Sequence, residues 1–115
     1  PLYELEPLER VLDELGGCPV PLLMGVMPLH SFRHAEYLHH EVPGIVIPDR
    51  VREAMARAGD EGERVGLELA EQLIEQARQR GLIGGVYVVP SFGRVEGVCA
   101  LVRRLRARTE PSRSA

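Results

Sequence analysis

Two segments of the chain end an apolar run near a proline and then present a serine, a phenylalanine and an arginine. The first is Leu22-Leu23-Met24-Gly25-Val26-Met27-Pro28-Leu29-His30-Ser31-Phe32-Arg33; the second is Gly85-Val86-Tyr87-Val88-Val89-Pro90-Ser91-Phe92-Gly93-Arg94. A strand that breaks and leads into a helix displays the intervening side chains at its C-terminal end, where α/β folds hold ligands. Phe32 and Phe92 are the two phenylalanines of a chain that has no tryptophan, and a flat ring can stack on another. Arg94 opens a helix, where the positive end of the peptide dipole disfavours a cation, so it needs an anion nearby or solvent. Its planar guanidinium suits two-point recognition of a carboxylate. Gly93 lets a ligand approach the backbone. Each residue also has a plainer reading. Phe32 could staple its helix to the core, and Arg94 could be an exposed arginine paired with Glu96 or Glu68.

Four histidines, His30, His34, His39 and His40, crowd one stretch, with His30 and His34 four residues apart. A metal site would call for a pattern such as H-E-x-x-H, and both thiols, Cys18 and Cys99, are distant. Surface or packing roles are the simpler reading, with His34 and Glu36 as acid–base candidates on type alone. Glu61, Glu63, Glu68, Glu71 and Glu75 alternate with arginine as a solvated helix face would. Gly84-Gly85 precedes a strand instead of following one, so it is not a phosphate loop. Met24 and Met27 read as core fillers.

The elements that must position these groups follow from periodicity. Leu5, Leu8, Val11, Leu12 and Leu15 recur at helical spacing, and Gly16-Gly17 ends that helix. Cys18–Met27 is apolar almost throughout, as a parallel strand covered on both faces would be. Ser31 is the N-cap of a helix to about His40. Ile45-Val46-Ile47 is a short connector. Pro48-Asp49 opens a helix to Ala58 that buries Val51, Ala54, Met55 and Ala58. A longer helix spans about Glu61 to Arg80, with Val65, Leu67, Leu69, Ala70, Leu73, Ile74 and Ala77 as its stripe. Val86–Val89 forms the next strand. A last helix, about Arg94 to Arg106, buries Val95, Val98, Leu101, Val102 and Leu105. Pro1-Leu2-Tyr3 reads as the end of a further strand whose beginning lies outside the sequence.

The predicted order is therefore (β)αβαααβα, with a parallel sheet and crossover connections. Strands apolar on both faces would leave an isolated three-strand sector with open edges and an unfilled inner face. A larger barrel fits that pattern better. At 115 residues, 27% charged and 44% hydrophobic, the chain has the size and composition of one small soluble domain. A formal charge of −3 argues against a nucleic-acid surface. All 14 basic residues are arginine, but they alternate with carboxylates and mark no phosphate site. Two separated cysteines, no membrane-length apolar run and no visible leader predict a reduced, cytoplasmic protein.

The blocks Gly25–Ala35, Val46-Ile47-Pro48, Gly66-Leu67-Glu68-Leu69-Ala70 and Tyr87–Arg94, in this order and spacing, resemble the C-terminal part of methylenetetrahydrofolate reductases. The likeness is nearest to the reductase half of enzymes that also carry a homocysteine S-methyltransferase domain, and it covers about residues 2–106. It implies a (β/α)8 TIM barrel of which residues 1–108 are the last three strands and their helices; 109–115, with its Pro, Ser and Arg, reads as a flexible tail. It further implies FAD as cofactor, NADH or NADPH as hydride donor, and a folate substrate reduced to 5-methyltetrahydrofolate. By the same resemblance Phe32 packs against folate or nicotinamide, and Arg94 contacts the folate, through its glutamate-tail carboxylates. Phe92 stands where the family has a leucine, which keeps the wall apolar and enlarges it. The family's strand-six glutamine, its catalytic carboxylate and most FAD contacts would lie before Pro1. The chain alone would then lack a complete reductase site, and its partner would be the missing N-terminal barrel portion or another chain; a homo-oligomer also stays open. The alternatives are a non-catalytic folate-binding or barrel-completing module and a stand-alone α/β domain.

Overall fold

Both apolar runs form strands that stop short of their prolines. In this computed structural model, which describes residues 2–17, 22–91 and 94–109, strand β1 is Leu23–Val26 and β2 is Gly85–Val88. Around them lie α1 (Glu6–Leu15), α2 (Phe32–Glu41), α3 (Asp49–Ala58), α4 (Gly62–Gln79) and α5 (Val95–Thr109), with a 3-10 turn at Gly59–Glu61 joining α3 to α4. Cys18, Phe92, Gly93 and residues 110–115 lie outside the described residues, so the roles predicted for Phe92 and the tail do too. The fold is α/β, and β1 and β2 pair in parallel with Leu23 opposite Gly85 and Val26 opposite Val88.

The three-strand expectation is corrected to two strands among the described residues. Successive carbonyls of a strand point to opposite edges. The oxygens of Leu22 and Val26 accept from Gly84 and Val89 on the β2 side. Gly25, one position off that phase, accepts from the Leu2 N–H at 3.2 Å, and Met27 accepts from the Tyr3 hydroxyl at 2.9 Å. Residues 2 and 3 thus run beside the outer edge of β1, where the extra strand was expected, but they make one backbone bond there and no ladder.

One face of the sheet is covered. Met24 and Val26 turn inward with Val86 and Val88 against Ala70, Leu73, Ile74 and Ala77 of α4 and Leu101 and Leu105 of α5. The other face is open: Leu23 is 62% exposed and Tyr87 56%. Tyr87 lies across Gly25, where a Cβ would meet its hydroxyl at 2.5 Å. The run is apolar on both faces, as read from the sequence, yet helices cover just one of them.

A second cluster joins α2 and α3 through Leu29, Ala35, Leu38, Ile47, Val51 and Met55. Helix α4 lies between the two clusters, because Val65 and Leu69 pack on this one while Ala70, Leu73, Ile74 and Ala77 belong to the first. Two predicted stripes are corrected. Val11 and Leu15 of α1 and Val95 of α5 are exposed, because no neighbouring element among the described residues covers that part of either helix.

Candidate functional site

Ser31 starts the site. Its extended backbone makes it the N-cap of α2, and its Oγ accepts from the His34 N–H at 3.0 Å, satisfying a donor that the first turn would leave free. His34 in turn accepts from the backbone N–H of His30 through Nδ1 at 3.3 Å, reaching back one residue beyond the N-cap whose N–H a capping box would engage. Accepting at Nδ1 puts the proton of the neutral ring on Nε2. The two imidazoles stack with centroids 4.0 Å apart and planes 14° apart. The β1–α2 loop is thereby held by its own side chains.

Helix α4 approaches this loop through glycines. A Cβ on Gly62 would come within 2.6 Å of the His30 oxygen and 3.1 Å of the Ser31 Cα. Glu63, the next residue, accepts from Arg94 Nη1 at 2.9 Å through Oε2. Its other oxygen lies beside the first turn of α5, 3.2 Å from where a Cβ on Gly97 would stand. Arg94 is fixed by its own N–H, which donates to the oxygen of buried Ser91. The N-terminal turns of α2, α4 and α5 thus meet beyond the C-terminal ends of β1 and β2.

Phe32 and Arg94 share this end of the molecule. Phe32 follows Ser31, which touches Gly62, and Arg94 holds Glu63 beside it. Phe32 is 43% exposed, so it does not staple α2 to the core as one sequence reading allowed. Arg94 pairs with a glutamate, as its plainer reading allowed, but the partner is Glu63 and not Glu96 or Glu68; Glu68 is taken by Arg64. Residue type could not reveal this pair, since 31 positions separate its members.

The remaining candidates have structural partners. His39 Nδ1 accepts from the Ile47 N–H at 3.0 Å, and His40 bonds Glu36 at 2.9 Å. No three metal-ligating side chains gather among the described residues. Along α4 and the turn before it, Glu61 and Glu68 pair with Arg64 and Glu75 with Arg78, while Glu71 reaches across to Arg104 and Arg108 of α5 and Glu75 also reaches Arg108. The Cys99 thiol is free and exposed. A separate cleft, lined by Tyr3, Leu29, Val51, Gly66, Leu69 and Gln76 among others, contains neither Phe32 nor Arg94.

Burial, then the facing His30 ring, then the Arg94 charge hold His34 down to about 4. Burial and Arg94 lower His30 as well, with Glu63 opposing them. Both rings are therefore neutral near pH 7, which leaves Arg94 as the cation of this group. Below pH 6.5 an unfolded chain protonates His34 while the folded chain resists down to about 4. The stabilisation from the neutral ring is thus complete above 6.5 and is lost as pH falls through that window. The loss should reach about 2 kcal/mol, less than the full conversion of the shift because Arg94 and His30 remain partly in water. Urea midpoints measured from pH 7 to 4.5 should fall more steeply for the native chain than for His34→Gln; equal slopes would remove this account.

No protein-family model, no curated protein and no solved structure matches the chain. No helix among the described residues is long and apolar enough to cross a membrane.

Proposed function

We propose that this chain is the C-terminal sector of a flavin-dependent methylenetetrahydrofolate reductase barrel, in which Phe32, Phe92 and Arg94 position the folate. The observation that carries the reading is the common location of Phe32 and Arg94 beyond the C-terminal ends of two parallel strands. A half-exposed phenylalanine offers a face for a pteridine ring, and an arginine at the same end offers a fork for a carboxylate. The barrel itself is supported by the sheet. An apolar face bearing Leu23 and Tyr87, left open while the other face is packed, is what a barrel sector presents to the remaining strands.

FAD would supply the hydride chemistry, taking the hydride from NADH or NADPH. The described residues do not form a flavin cradle by themselves. Gly84-Gly85 lies at the N-terminal end of β2, the wrong end for phosphate, and Arg94 is engaged by Glu63. Flavin would accordingly be held by the barrel portion outside this chain, and this chain's own work is orientation of the folate.

In the completed barrel, Arg94→Ala should weaken 5-methyltetrahydrofolate binding by about 10-fold or more, the order expected for one charge-assisted hydrogen-bonded contact. Calorimetric titration reads this directly, and unchanged affinity would end the reading. A second reading, a non-catalytic module that completes a barrel with another chain, rests on the same open sheet face. It predicts that the chain forms a stable complex with a separate polypeptide and that the complex shows no flavin reduction by NADH or NADPH.

A further inference from the structure

The Arg94–Glu63 pair has the form of a site already holding its ligand. Glu63 extends from the first turn of α4 and puts one carboxylate oxygen on Arg94 Nη1 at 2.9 Å. The other oxygen sits against the first turn of α5, in space kept open by Gly97. That is where an incoming carboxylate would find both the guanidinium and the positive end of a helix dipole. The bond engages a single guanidinium nitrogen, so the two-point geometry that makes arginine selective for carboxylates is not used. Both side chains are a little under half exposed, and an ion pair of that kind is weak.

We propose that Glu63 is an internal placeholder: its carboxylate occupies Arg94 in the free protein and is displaced by the terminal carboxylate of a glutamate-like ligand tail. The proposal rests on the folate reading, which brings such a tail to Arg94, and adds the residue that sets its affinity and selectivity. Displacement is required because the neighbouring imidazoles are neutral, so one positive charge faces two carboxylates that repel each other at short range. A neutral ligand gains nothing by competing with Glu63. Only an anion able to make the two-point contact does, so Glu63 discriminates against uncharged tails while lowering the affinity for charged ones.

The test uses N-acetylglutamate as probe and follows the Arg94 Nε–H resonance of the full chain by NMR. Glu63→Gln keeps the shape and removes the charge, and both positions are exposed enough for the variants to fold. Relative to the native chain, Glu63→Gln should move the Arg94 resonance at about five-fold lower probe concentration. That factor matches the loss of one exposed ion pair. N-acetylglutamine amide, which has no carboxylate, should show no such gain. Identical titrations of the native chain and Glu63→Gln, or no shift in either, would overturn the proposal. The folate reading is tested separately by 5-methyltetrahydrofolate in the completed barrel. If N-acetylglutamate shows the five-fold gain while Arg94→Ala leaves 5-methyltetrahydrofolate affinity unchanged, the placeholder stands and the folate assignment fails.

Discussion

Gly66→Ala is expected to cost more stability than any other single methyl addition to this chain, at least about 3 kcal/mol, at or beyond the top of the usual overpacking range. A Cβ at this position would land on the Leu29 carbonyl, 2.5 Å from its carbon. That atom belongs to backbone, so no side-chain rotation can make room. Relief would require α4 to move away from the β1–α2 loop, carrying Gly62 off His30 and Glu63 away from Arg94. The mutation should therefore disturb the meeting of the α2, α4 and α5 N-termini as well as the core. Gly97→Ala is the matched control, since its Cβ would meet only the ends of Leu67 and Glu63 side chains. Those ends can rotate away, and alanine gains helix propensity over glycine, so the change should stay within about 1 kcal/mol. Urea unfolding of the two variants side by side decides the matter; equal midpoints would show that α4 does not bear on the loop as described.

Ile47→Ala should also be strongly destabilising, at about 2–5 kcal/mol. Ile47 lies in no helix or strand, yet it is 1% exposed and packs among Leu38, Val51 and Met55. Its N–H donates to His39 Nδ1, so the backbone is held while the side chain is removed and the cavity cannot readily collapse. Val46, beside it, is 71% exposed, and Val46→Ala should change stability by no more than about 0.5 kcal/mol. A small loss at position 47, comparable with that at 46, would mean that the α2–α3 cluster is not a packed core.

Local rules account for most of what was legible in the amino-acid order. Proline near the end of an apolar run, serine with a free hydroxyl before Phe32, and glycine after Leu15 each act within a turn of chain. The helices, both strands and their parallel pairing followed from them. A glutamate-rich helix face paired with nearby arginines also followed, because residues three and four apart on a helix are neighbours; that Glu68 goes to Arg64 and not to Arg94 did not. The common end shared by Phe32 and Arg94 was also readable, since parallel strands release their following residues on the same side.

Periodicity tells which side chains share a helix face, not whether that face meets a neighbour. Val11, Leu15 and Val95 carry the pattern of burial and stand in solvent, while Ile47 carries no pattern and is buried. Gly62 and Gly66 looked like ordinary helix residues; that they are contact points appears only when α4 crosses the β1–α2 loop. The His30–His34 stack and the pairing of Arg94 with Glu63 likewise depend on three helix starts being brought together. Sequence alone determined the α/β class, the order of the helices and of the two strands, and the end of the sheet beyond which Phe32 and Arg94 lie, since each follows from short-range sterics and hydrogen bonding. The partners of Arg94, the burial of Ile47 and the open face of the sheet were decided by tertiary packing, because distance through space has no fixed relation to distance along a chain.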